Sequence, residues 1–178
     1  MAIRNFEHYQ PAIESTAFID PTALVIGNVQ IGADTSVWPM ATVRGDVNRI
    51  EIGARTSIQD GAILHATHDG VYTPGGTTLT VEDNVTVGHG AILHACTVEE
   101  ECLIGIGSVV LDNAVVQKQA MLGAGSLVSG GKVLEGGYLW VGRPAKKIRK
   151  LTGKEIEYLR YSADHYVKLK NRHQNSVS

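Results

Sequence analysis

The sequence predicts an all-β solenoid: a parallel β-helix of hexapeptide repeats closed by one C-terminal α-helix. Three observations predict it. Aliphatic side chains return every six positions over most of residues 19–130. Small or β-branched residues mostly sit four positions beyond them. Glycine is abundant, at 20 of 178 residues, while aromatics make up 6%. That composition suits short strands and tight turns better than a core built on large rings.

A six-residue period is neither helical nor the alternation of a plain strand. In a parallel β-helix each hexapeptide forms one flat side, and three close a triangular coil of about eighteen residues. The aliphatic points inward, and each coil buries its aliphatics against the next. A β-sandwich with accidental spacing would not hold the period over so long a stretch.

The first run is Ile19, Val25, Ile31, Val37 and Val43. After a slip the register resumes at Ile52, Ile58 and Leu64. Residues 66–78 (ATHDGVYTPGGTT) then interrupt it with Asp-Gly and Pro-Gly-Gly, which mark a loop. The period returns at Val81, Val87 and Leu93, and again from Ile104 through Val110, Val116 and Leu122 to Val128. Glycine follows the aliphatic at Gly32, Gly53, Gly88, Gly105 and Gly123, where it is expected to permit the turn backbone. Thr97 falls in the small-residue slot.

Beyond Val128 the pattern loosens and ends in a turn at Arg143-Pro144. The solenoid is therefore assigned to 1–151 and a terminal helix to 152–173. In the helix, Ile156, Leu159, Ala163, Tyr166 and Leu169 share a face. Thr152 with Glu155 three residues on forms a capping box. The last five residues, QNSVS, are expected to fray.

A net charge of −2 points to no nucleic acid and no anionic membrane. Two cysteines, Cys96 and Cys102, make no disulfide framework and fit a reducing compartment. The first ten residues lack an apolar targeting core, and no stretch is long enough to span a bilayer. A cytoplasmic protein is expected.

The repeat gives three histidines defined places. His65 (LHATH) and His94 (LHACT) occupy the same slot, 29 residues apart, one coil plus the loop insertion. They are expected to stack on neighbouring coils, about 4.8 Å apart. Two imidazoles so placed can converge on one Zn²⁺ at about 2.0–2.1 Å. His89 lies five residues before His94, about 16 Å of extended chain, and so near a different side of the triangle. Within one chain it does not reach the pair. A threefold rotation brings it there, so a homotrimer with metal sites shared between chains is expected.

The segments VRGD (43–46), SIQDGAILHATH (57–68), VTVGHGAILHAC (85–96) and VGRPAKKIRKLT (141–152) resemble the gamma-class carbonic anhydrase family, in its compact bacterial branch. With the repeat and the terminal helix, the resemblance covers nearly the whole chain. It implies a left-handed helix, a homotrimer, and zinc bound by His65, His89 and His94, with Fe²⁺ or Co²⁺ also suited to imidazole. It implies reversible hydration of CO₂ to bicarbonate by water activated on the metal. Arg44, Asp46 and Asp60 match an interfacial ion-pair set, with Asp60 alternatively supporting a ligand. Gln59 matches a residue that hydrogen-bonds the reacting solvent or substrate, and Tyr166 a tyrosine near the site.

Two positions depart from the family pattern. Val47 and His68 stand where the family prototype has glutamates that serve proton transfer. His68 can titrate near neutral pH and so replace one of them. The departures keep two other functions open: an acyl- or CoA-thioester-handling enzyme of the hexapeptide class, and a catalytically weak metal-binding trimeric module.

Overall fold

The computed structural model describes residues 2–176. Val177 and Ser178, the end of the tail expected to fray, lie outside the described residues. The chain is a left-handed parallel β-helix with one terminal α-helix. Three columns of inward side chains define its three faces. The first stacks Val25, Val43, Leu64, Leu93, Val110 and Val128. The second runs from Ile13 and Ile31 through Ile52, Val81, Val98 and Val116 to Leu134. The third runs from Ile19 and Val37 through Ile58, Val87, Ile104 and Leu122 to Trp140.

Most strands are two or three residues long because the chain must turn every six. Two are longer. Leu24–Ile31 and Thr42–Ile52 run on around the corner between the first and second faces, joining those faces into one sheet. The slip between Val43 and Ile52 is located there.

Two expectations need correction. The glycines after the inward aliphatics are not there for turn backbone. A Cβ on Gly105 would meet Ala124 N at 2.5 Å and Leu122 O at 2.5 Å on the next coil; Gly32 and Gly88 are similarly crowded. The requirement is close approach of coils. Positive φ falls two positions later, three past the aliphatic. Asp34, Met40, Arg55, Asn84, Glu101, Asn113 and Gln119 hold it as well as Gly61, Gly90, Gly107 and Gly125. The second correction concerns Thr97. The coil after Leu93 is one residue short, so Val98 points inward, buried Cys96 takes the small-residue slot, and Thr97 faces outward.

The turn at Arg143-Pro144 contains a cis peptide bond, and after it Ala145–Lys150 returns antiparallel along Tyr138–Gly142. This hairpin ends the solenoid and leads into the helix, Gly153–Ser176. The helix therefore runs past residue 173, into the segment expected to fray. It lies on the third face, with Leu159, Ser162 and Ala163 buried. The ring of Trp38 is 5.9 Å from Tyr166 and 5.0 Å from His173. Lys170, almost fully buried, binds Asp34 at 3.1 Å.

The capping box is formed. Glu155 N–H donates to Thr152 Oγ1 at 3.3 Å, and Thr152 N–H donates to a Glu155 carboxylate oxygen at 2.8 Å. Hydrogen bonds from Arg149, then from Thr152, hold the Glu155 carboxyl down at about 2. Thr152→Ala is expected to lower stability by about 1 kcal/mol in urea unfolding at neutral pH. Because the Glu155 pKa is depressed on folding, its contribution is present above about pH 4.5 and lost as pH falls towards 2.

Candidate metal centre

The two edges of the first face each carry a group of polar residues. The edge that precedes the face holds Gln59, Asp60 and His89. Ile58 and Val87 are in register, so Asp60 and His89 stack, each followed by a positive-φ glycine. His89 Nδ1 lies 2.9 Å from Asp60 Oδ2. Gln59 is buried, and its side chain hydrogen-bonds Tyr166 on the helix. Burial raises the Tyr166 pKa, an effect the Gln59 hydrogen bond partly offsets. Tyr166 and Gln59 line one cleft with His89.

The edge that ends the face holds Arg44, Asp46, His65 and His94. Arg44, His65 and His94 are successive register partners. The widened corner after Arg44 carries Asp46 back over the histidines. Arg44 Nη1 donates to Asp46 Oδ2 at 2.6 Å, and His65 Nε2 lies 3.1 Å from Asp46 Oδ1. His65 Nδ1 faces His94 Nε2 at 3.2 Å. His94 Nδ1 lies 2.7 Å from Asp112 Oδ1, whose partner oxygen accepts the Thr67 hydroxyl.

Burial would raise Asp46, but hydrogen bonds from Arg44 and His65 outweigh it and hold the carboxyl below its usual range. For Asp112, burial is likewise outweighed by bonds from Thr67 and His94. Burial lowers His65, with the Arg44 charge acting the same way against the Asp46 hydrogen bond. Burial and the Arg44 charge thus favour the uncharged form of His65.

A carboxylate only accepts hydrogen bonds, so an imidazole carrying a single N–H turns it toward its aspartate. That leaves lone pairs on His65 Nδ1 and His94 Nε2, which face each other at 3.2 Å. Such an arrangement is repulsive without a cation or a shared proton. Two nitrogens of a tetrahedral zinc site stand about 3.3 Å apart, given bonds of about 2.0–2.1 Å. All three histidines have a carboxylate on the far ring nitrogen, the usual support of a metal-binding imidazole. The donor set therefore fits zinc, though not in one chain: among the described residues no three His, Cys, Asp or Glu side chains converge.

The remaining candidates are placed as follows. Asp60 pairs with His89, on the other edge from Arg44 and Asp46. His68 is exposed on the 66–78 hairpin, its ring against Gly70. Cys96 points inward and is no ligand; burial pushes both thiols up to about 12. Asp112 and Thr67 were not singled out by sequence. Asp112 lies in none of the recognisable motifs, and because the coil after Leu93 is one residue short it stands one place past the slot opposite His94.

Stacked coils, a terminal helix on one face and histidines at the corners define a hexapeptide-repeat β-helix protein. Comparison with known proteins narrows this. The chain is 47% identical to Protein YrdA of Escherichia coli, over 96% of this chain and 93% of that protein. It is 44% identical to gamma carbonic anhydrase 2, mitochondrial, of Arabidopsis thaliana over 94% of this chain, and spans 60% of that longer protein. Among solved structures, a hexapeptide transferase family protein from Anaplasma phagocytophilum is 42% identical with a TM-score of 0.86, each chain covered to 96%. A putative acetyltransferase from Bacillus cereus is 38% identical with a TM-score of 0.91, covering 97% of this chain and 96% of that one. No family model matches the chain. The chain belongs to the gamma carbonic anhydrase-like family of hexapeptide-repeat proteins. No helix among the described residues is long and apolar enough to cross a membrane.

Proposed function

We propose that the chain is a metal-dependent carbonic anhydrase-like enzyme acting as a homotrimer, hydrating CO₂ reversibly to bicarbonate. The observation that carries this reading is the 3.2 Å approach of His65 Nδ1 to His94 Nε2, with a carboxylate on the other nitrogen of each ring. His65 and His94 of one chain and His89 of the next would hold the metal, zinc first, with Fe²⁺ or Co²⁺ as alternatives. Such a metal is a Lewis acid that lowers the pKa of water toward about 7; that magnitude is the general one for carbonic anhydrase sites.

The chain's own residues do the rest. Asp46, Asp60 and Asp112 orient the three rings. Arg44 fixes Asp46. Gln59, held against Tyr166, offers an amide to orient water or CO₂. Hydration releases a proton, and exposed His68 can pass it to solvent. A cytoplasmic location fits the two reduced, buried thiols.

The trimer is supported by the first face itself. Its outward column stacks Ile63, Ile92, Val109 and Leu127 between the two polar edges, with Ile63 45% and Ile92 36% exposed. A flat apolar strip between two half-sites is what a second copy would cover.

A second reading, acyl or CoA-thioester chemistry, is favoured by one observation. A cleft of about 360 Å³ opens between the helix and the third face beside His89, lined by Leu103, Ile106, Met121 and Tyr158. A weak or inactive metal-binding module is the third, favoured by Val47 and His68.

Stopped-flow CO₂ hydration separates them. The zinc-loaded protein should run as a trimer with about one metal per chain, and His94→Ala should lower the rate by about a hundredfold or more. Equal rates would sink the anhydrase reading and leave a metal module. A monomer, or a protein metal-free after loading, would sink the shared site; retained CoA would then favour the second reading.

A further inference from the structure

We infer that Asp112, braced by Thr67, is a positioning residue for the candidate metal centre, setting the tautomer and tilt of His94. The inference rests on the metal reading above. Asp112 is on the coil that follows His94, and its Oδ1 takes the His94 Nδ1–H at 2.7 Å, the shortest of the three histidine–aspartate contacts. Its other oxygen accepts the Thr67 hydroxyl, so both lone-pair faces of the carboxylate are engaged and its plane is fixed. With the proton committed to Nδ1, His94 can present only Nε2 toward His65. Without Asp112 the ring could take either tautomer and rotate, and one donor of the site would be lost part of the time.

Thr67 is itself held. Its backbone exchanges two hydrogen bonds of 3.0 Å with Thr77 across the base of the 66–78 hairpin, and its carbonyl accepts from Asn48 at 3.1 Å. The hairpin that interrupts the repeat thus contributes to the metal centre through its base. The Asp112 backbone is anchored separately, its carbonyl accepting Gly131 N–H at 2.8 Å. Changing the side chain should therefore leave the coil in place.

The test is Co²⁺ affinity by chelator competition, with the visible absorption of bound Co²⁺ as a second readout, on the full trimeric chain. Asp112→Ala should weaken binding about 10–100-fold and alter the Co²⁺ spectrum. Asp112→Asn, which keeps an acceptor for Nδ1–H, should recover most of the affinity. Thr67→Val, which leaves the carboxylate but removes its brace, should show a smaller loss than Asp112→Ala and covers the case in which that variant fails to fold. Circular dichroism and oligomer mass should be unchanged in the variants that fold. Affinities of Asp112→Ala and Thr67→Val both within twofold of the parent would overturn the assignment. So would an Asn variant as weak as the Ala variant. A parent protein that binds no Co²⁺ would overturn the metal reading itself, and with it this one.

Discussion

Two variants that each fail to bind metal are expected to restore it when refolded together. His89→Ala removes the proposed ligand at the leading edge of the first face; His94→Ala removes a proposed ligand at the trailing edge, beyond Ile92 and Leu93. Each homotrimer should hold essentially no tightly bound zinc. In a mixed trimer the two types occur cyclically, so there is one junction where an intact His65–His94 pair meets an intact His89. Random mixing in equal amounts should therefore return about a quarter of the parental sites, counted from closed threefold symmetry. Zinc per chain and CO₂ hydration should recover in the same proportion. A site assembled within one chain cannot recover, because every chain in the mixture lacks a ligand. No recovery in verified mixed trimers would exclude sharing.

The second large effect is structural and separates two kinds of glycine only two residues apart. Gly105→Ala places a methyl group against the backbone of the next coil, 2.5 Å from both Ala124 N and Leu122 O. Neither atom can rotate away, and Leu122 O already accepts the Gly105 N–H at 2.8 Å in the inter-coil ladder. The coils must separate, so the loss should be about 3 kcal/mol or more, or no folded protein. Gly107→Ala meets nothing within 4 Å, and its φ of +64° is one that Asn113 and Gln119 adopt at equivalent corners. It should cost about 1 kcal/mol. Urea midpoints of the two variants provide the comparison, and equal losses would contradict the close-approach assignment.

Much of this was readable in the chain because a solenoid writes its geometry along the sequence. A column of inward residues is a period, so Leu64 with Leu93, and hence His65 with His94, could be paired by counting. Counting fails where the coil length changes without a marker. The one-residue deletion after Leu93 carries no Gly or Pro and misplaced Thr97. The role of Gly105 was missed because a glycine required for contact looks the same in sequence as one required for φ. Asp112 was missed for a different reason. A residue that orients a ligand needs only one carboxylate at one distance, and no local pattern records that. The contact between Gln59 and Tyr166 joins a strand corner to a helix about a hundred residues later. Only packing brings them together.

The placement of the histidines on two edges also bears on how the protein would behave when scarce. Under the proposed reading a lone chain offers metal two imidazoles, and the third arrives only with a neighbour. Tight metal capture then becomes a coincidence of two events, assembly and metal supply, each favouring the other by mass action. Dilution below the assembly constant would release metal without any change in the ligands. Metal at limiting protein would recruit chains into trimers. The same six-residue spacing that keeps the histidines apart would thus tie the cofactor content of each chain to the abundance of all the others.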